Sequence, residues 1–296
     1  MLLRFLAILG LVLLAGCATM SSSPPSTFRS DRISVQVLGE GPDVLLIPGL
    51  SSSPRVWEGS VAAVPGYRYH IVQVAGFAGA AAGANSAGPV VEPVAAEIAR
   101  YLGETHLDHV AVVGHSLGGI WAMEVAARVP DRVSRVMVVD MLPFPGMLFG
   151  GPAATRESLA PVAAQVREML ARTAGEDRRR LAETTLAGMI RDEAARPGPV
   201  ADYLASDPQV SAQAMADLIT TDLRPELPHV RAPMTVLWVR APNAPMTEEQ
   251  MAQLYAQSYA GAPRVTIRHV PDAYHFIMLD QPELFHQALR QFLAQG

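Results

Sequence analysis

Ser116 stands between two glycines in Gly114-His115-Ser116-Leu117-Gly118, directly after the apolar run Val110–Val113 and just ahead of a helical pattern from Ile120 to Arg128. A serine at such a strand-to-helix turn can be forced into strained backbone geometry only if its neighbours lack side chains. Gly114 and Gly118 meet that need. The strain pushes the hydroxyl out of the turn, and the free N–H groups and positive end of the new helix favour negative charge at the same spot. That is the chemistry of a nucleophile, and a serine at its ordinary pKa needs a base within hydrogen-bond reach. The chain has eight histidines, so position must choose among them. The side chain of His115 is expected to point away from a serine held in the turn. His106 and His109 flank the strand before it and are expected at the surface, and His269 falls inside the last strand. His275 alone sits in a loop after the final strand, at the edge where α/β sheets place their active sites, and is the expected general base.

The elements that must position these groups alternate along the chain. Ile33–Val37 reads as a half-buried strand, and Val44–Ile47 as a central strand covered on both faces. Tyr69–Val74, Val133–Val139 (ending at Asp140), Met234–Val239 and Arg264–Val270 read as further strands. Helical spacing marks Val90–Leu102, Thr247–Tyr259 and Pro282–Leu293, with Thr247 as a cap and Glu248 and Glu249 in the first turn behind it. The pattern implies a mostly parallel sheet with helices on both faces. From Met141 to about Leu227 the alternation stops, and helical patterns appear around Pro161–Thr173, Arg178–Asp192 and Ser211–Thr221. This stretch is expected to be an inserted helical cap. Ser51-Ser52-Ser53 reads as a solvated approach to a helix. The Ala/Gly-rich stretch from Ala75 to Gly88 reads as a mobile loop at the rim of the site, and Arg178-Arg179-Arg180 as a solvated helix face.

The turn at Ser116 resembles the nucleophile elbow of the α/β-hydrolase fold family, and the alternating strands and helices with one helical cap suit that family's layout. The resemblance implies a serine esterase or lipase-like hydrolase with a catalytic triad and no cofactor. It implies an oxyanion hole built from backbone N–H groups, here Leu50 after the strand ending in Ile47-Pro48-Gly49 and Leu117 after the serine. Pro48 stands where the family usually has a histidine, which a backbone donor tolerates. Tyr274 departs from the glycine usual before the base. The triad acid is the open position. The family most often keeps it after the strand ending at Val239, where this chain has Asn243, and an amide cannot stabilise an imidazolium as a carboxylate does. Some members keep it one strand earlier, which points to Asp140, and Glu248 and Asp272 stand behind these two. Dehalogenase and epoxide-hydrolase members use an aspartate nucleophile, so Ser116 argues against both.

Composition bounds the reading. Hydrophobic residues make up 50% of 296 and charged ones 17%, ample for a large core, and a net charge of −5 without a Lys/Arg cluster argues against a nucleic-acid partner. There is no His-Glu-x-x-His, and the single cysteine rules out cysteine clusters, so no metal is implied. Met1-Leu2-Leu3-Arg4 and the apolar Phe5–Ala15 form a signal-like start, and Leu14-Ala15-Gly16-Cys17 resembles the lipobox of bacterial lipoproteins. That resemblance implies cleavage before Cys17, its lipidation and a membrane anchor. Ala18 in place of an aspartate leans towards the outer membrane, with a soluble periplasmic or secreted protein as the alternative. The expected plan is a signal peptide over 1–16, a tether over 17–30, a core over 31–140 and 228–296, and the cap over 141–227. The expected activity is cleavage of apolar carboxylic esters. Amide, thioester or C–C bond hydrolysis by the same machinery, or a non-catalytic binding lipoprotein on a decayed scaffold, are the alternatives.

Overall fold

A computed structural model describes residues 28–240 and 244–295. The signal-like segment with Cys17 lies outside the described residues, as does Asn243. Seven described strands form one sheet: β1 (Ile33–Leu38), β2 (Asp43–Ile47), β3 (Arg68–Val74), β4 (Val110–His115), β5 (Val133–Val139), β6 (Met234–Trp238) and β7 (Val265–His269). Their spatial order is β1-β3-β2-β4-β5-β6-β7. Only β1 runs antiparallel, with Ile33 opposite Val74 and Leu38 opposite Tyr69. The inner strands are apolar runs because both faces are covered, and β4 is buried at every position. The two edge strands, β1 and β7, carry exposed residues instead.

Alternate residues of each strand feed opposite layers, the period of two that a pleat imposes. Leu45, Ile47, Val112, Val136 and Val138 pack on the helices α2 (Val91–Glu104) and α3 (Leu117–Arg128). Val44, Leu46, Ala111, Val113, Met137 and Val139 face the other layer. It is built around Trp57 and Val64, which flank α1 (Glu58–Ala63), and a later C-terminal helix.

Between β5 and β6 lie five α-helices and no strand: α4 (Met147–Gly150), α5 (Arg156–Arg172), α6 (Gly175–Met189), α7 (Pro197–Ala205) and α8 (Pro208–Thr220). α5 packs along α8 over a small core of its own, with Phe144, Leu159, Ala163 and Ile219 buried. The helix expected from Pro161 begins five residues earlier, because Thr155 and Ser158 cap its start reciprocally and Pro161 is absorbed in the interior. α7 has no counterpart in the sequence reading. Pro197-Gly198-Pro199 looks like a break, yet Pro197 opens the helix, where a missing N–H costs nothing. After β6 come α9 (Glu248–Ser258), α10 (Ile277–Asp280) and α11 (Pro282–Leu293), whose Phe285, Leu289 and Phe292 complete the second layer. Thr247 and Gln250 form a capping box at the start of α9. None of the described helices is long and apolar enough to cross a membrane.

Two loop readings are corrected. Ser51, Ser52 and Ser53 are buried, not solvated. α7 and α8 close over them: Ser51 Oγ shares a hydrogen bond with Ser211 Oγ at 2.8 Å, and Asp202 accepts from the Ser53 N–H at 3.1 Å. The Ala75–Gly88 stretch is closed down by the fully buried Phe77 against Trp121. Asn85 adds to this, its amide donating to the carbonyls of Arg32 and Ala75. Asn85 to Gly88 line a groove against α5 and α8, not the cavity that holds Ser116.

The topology also says where a crevice must open. From β2 the chain crosses to β3 on one side, and β4 then returns to pair with β2 on the other. Connections leave the carboxyl ends of β2 and β4 in opposite directions, so ligands of open α/β sheets bind there. Ile47 and Gly114 pair at that edge.

Candidate active site

The turn after β4 has its shape because two positions admit no side chain. A Cβ on Gly114 would run into the Gly118 carbonyl oxygen, and one on Gly118 into the carbonyl oxygen of Ile47. Between them Ser116 takes φ 53° and ψ −125°, left-handed geometry that costs a non-glycine residue about 1–3 kcal/mol. Two bonds pin it: Ser116 N–H donates to Val139 O at 2.9 Å, and Gly119 N–H to Ser116 O at 2.7 Å. Leu117 opens α3, so its N–H is one of the four that a helix leaves without an internal partner. The loop after β2 comes so near that a Cβ on Gly49 would sit 3.0 Å from Ser116 Cβ. Leu50 follows it and lines the same cavity as Ser116.

His275 follows β7 and turns its Nδ1 to Asp140 Oδ2 at 2.6 Å. Asp140 ends β5 with φ 51°, and its N–H donates to Leu237 O at 2.7 Å. Its second oxygen, Oδ1, accepts from the Val239 N–H and from the Tyr255 hydroxyl, both at 3.1 Å. Burial pushes the Tyr255 phenol far above its usual range, and the neighbouring Asp140 charge adds to this, so Tyr255 remains a donor. A carboxylate oxygen can only accept, so in this pair the imidazole carries its proton on Nδ1 and leaves Nε2 without one. The other carboxylates weighed for this place are occupied elsewhere. Glu248 pairs with His269 at 3.0 Å, and Asp272 with Arg191 at 3.4 Å.

Ser116, Asp140 and His275 all line one cavity of about 500 Å³, otherwise mostly apolar and walled by the insertion and the sheet edge. Leu142, Leu170, Met215 and Leu218 are among its walls. Leu148 and Phe149 belong to it too and are 58% and 51% exposed, which marks its open side. Among the described residues no cluster of three His, Cys, Asp or Glu side chains could hold a metal ion. A hydroxyl on a strained turn beside a helix start, with a carboxylate-bound imidazole in the same apolar cavity, can support nucleophilic attack on a carbonyl.

The "Alpha/beta hydrolase family" model matches residues 44–288. The chain belongs to the α/β-hydrolase family. Among curated α/β-hydrolase relatives, it is 26% identical over 194 residues to the mouse sn-1-specific diacylglycerol lipase ABHD11, covering 62% of this chain and 58% of that protein. It is 34% identical over 113 residues to the pimeloyl-[acyl-carrier protein] methyl ester esterase of Aeromonas hydrophila, covering 38% and 42%. The chain thus spans little more than half the length of these curated relatives at most. Among solved structures, the esterase EaEST of Exiguobacterium antarcticum superposes with a TM-score of 0.72 at 19% identity, covering 89% of this chain and 96% of that one. That likeness is one of fold.

Two groups at this α/β-hydrolase site had no signal in the sequence. The Tyr255 hydroxyl reaches Asp140 from α9, 115 residues away. His115, set aside as a mere neighbour of the serine, donates from Nε2 to the His275 carbonyl at 3.0 Å, its ring 4.7 Å from that of His275 and 4.6 Å from Phe276. Full burial, and then the neighbouring His275, hold its pKa well below the usual histidine range, so it is neutral and serves as a fixed strut under the loop. His269 is stacked on Trp238 at 4.4 Å, while His106 and His109 are exposed.

Proposed function

We propose that this α/β-hydrolase is a serine hydrolase of apolar carboxylic esters working through an acyl-enzyme on Ser116. His275 Nε2 takes the Ser116 proton as Oγ attacks the ester carbonyl. The N–H groups of Leu50 and Leu117 hold the oxyanion, each such donor being worth about 10²–10³ in rate. His275 then protonates the departing alcohol, and water attacks the acyl group by the reverse sequence, His275 again acting as base. Asp140 keeps the imidazole in the productive tautomer and stabilises its charged form. Supporting the reading above all is the 2.6 Å His275–Asp140 pair on the cavity that also holds the strained Ser116. The apolar walls support apolar substrates, and the lipase and methyl ester esterase among the relatives support ester chemistry.

A fluorophosphonate probe is expected to label the protein, and Ser116→Ala to abolish both labelling and p-nitrophenyl ester hydrolysis. Labelling that survives in Ser116→Ala would reject the assignment, and faster turnover of matched anilides than of esters would reject the ester class. Export with a lipid on Cys17 is proposed on the Leu14–Cys17 pattern alone. Metabolic labelling with palmitate, lost in Cys17→Ser, tests it.

A further inference from the structure

The run Arg178-Arg179-Arg180 is not the uniform solvated face that its composition suggests. Arg179 and Arg180 are exposed and face Glu176 and Asp177 one turn back. Arg178 lines the Ser116 cavity instead. On that cavity's lining it belongs with residues of α6, α7 and α8, and it contacts Tyr203 directly.

The other ionisable pair on that cavity, Asp140 and His275, is closed on itself. Arg178 has no carboxylate partner among the described residues. Its Nη2 donates to the carbonyls of Tyr203 at 3.0 Å and Ser206 at 2.6 Å, at the end of α7, and its guanidinium carbon lies 5.3 Å from the centre of the Tyr203 ring. Asp202, the buried carboxylate of α7, is taken by Arg55 and Ser53. The Nε–H of Arg178 is buried with no acceptor. A guanidinium cannot shed its charge, and a cation on an apolar wall without a counter-ion is costly unless an anion joins it. Its carbonyl contacts occupy Nη2 and, with the Tyr203 face, fix the plane of the group, which leaves Nη1 in a fixed position without an acceptor and able to donate to a carboxylate.

We propose that Arg178 is a substrate-binding residue that recognises a carboxylate at the far end of the ester's apolar chain, so that the preferred substrates are half-esters of dicarboxylic acids. The inference rests on the ester-hydrolase reading above and deepens it. One positive charge matches one carboxylate. A phosphate dianion would need a second cation, and Arg178 is the only arginine or lysine among the described residues that line the cavity.

The test compares monoethyl with diethyl esters of linear dicarboxylic acids from succinate to dodecanedioate, followed by acid release. Wild type is expected to favour the half-ester by roughly 10- to 100-fold in kcat/KM at one chain length, the worth of a charge-assisted pair. Arg178→Gln is expected to erase that ratio through KM for the half-ester, with Arg178→Lys falling between. Binding of the half-ester to Ser116→Ala protein, measured by calorimetry and lost when Arg178→Gln is added, reads the subsite without turnover. Hydrolysis of the diethyl esters reports the catalytic machinery separately, so its absence would count against the ester reading and leave the binding measurement to judge Arg178. Equal kcat/KM for half-esters and diesters in wild type would overturn the proposal. So would an Arg178→Gln variant that slows both alike, which is the behaviour of a tether for the end of α7.

Discussion

Replacing Asp140 by asparagine tests the site most sharply, because the surroundings dictate which way the new amide must face. In the native site Oδ1 accepts from the Val239 N–H and the Tyr255 hydroxyl, and Oδ2 meets His275 Nδ1 at 2.6 Å. A backbone N–H can only donate, so the asparagine oxygen must stay on the Val239 side and its NH₂ must face the imidazole. Nδ1 is then forced to accept, the ring proton moves to Nε2, and the nitrogen meant to take the Ser116 proton is blocked. Where a triad loses its tautomer in this way, kcat falls by about 10⁴, or about 5.5 kcal/mol at about 1.4 kcal/mol per decade. Asp140→Asn is therefore expected to lose about 10³–10⁴ in kcat on a p-nitrophenyl ester while its melting temperature stays near that of wild type. Asp140→Ala differs, since it strips the acceptor from Val239 and Tyr255 at about 1–3 kcal/mol for each orphaned donor, and should lower stability as well. Activity of Asp140→Asn within about tenfold of wild type, or a heavier loss from Asn243→Ala, would refute the orientation argument.

Two further outcomes probe the frame around the site. Glu124 on α3 has a buried Oε2 without a partner, and desolvation raises its pKa from 4.5 to about 7. The folded state then holds the proton more tightly than the unfolded chain, so stability falls as pH rises from 4.5 to about 7, by at most about 3.5 kcal/mol at about 1.4 kcal/mol per unit. Glu124→Gln is expected to melt above wild type at about pH 8 and to converge with it at about pH 4.5; equal melting temperatures at the higher pH would contradict this. Gly118→Ala drives a methyl group into the Ile47 carbonyl oxygen beneath the nucleophile turn. It is expected to cost about 1–3 kcal/mol in urea unfolding together with most esterase activity, and an unchanged midpoint would show that the turn yields without strain.

Much of the frame was legible because it is written in local patterns. The inner strands are continuous apolar runs, the turn around Ser116 announces itself by two glycines, and Thr247 marks the start of α9 by its own side chain. Each of these is decided by residues within a few positions of one another, where steric and hydrogen-bonding rules act directly. The helices of the insertion were visible only as periodicity. α7 was missed because the same prolines that break a helix interior also suit a helix start.

What periodicity cannot carry is which face of a helix meets which loop. The chain's own order of residues established a strained serine after a buried strand, a histidine beyond the last one, and a helical stretch between. It left four candidates for the partner of His275, and only the folded sheet, setting the ends of β5 and β6 side by side, brings Asp140 to 2.6 Å and leaves Glu248 and Asp272 with other partners. Likewise only docking of the insertion decides that Ser51 to Ser53 are covered and that Arg178, alone of three consecutive arginines, lines the cavity. The reason is physical: these contacts join residues many tens of positions apart, and their energies depend on burial and on partners that exist only once the layers have packed.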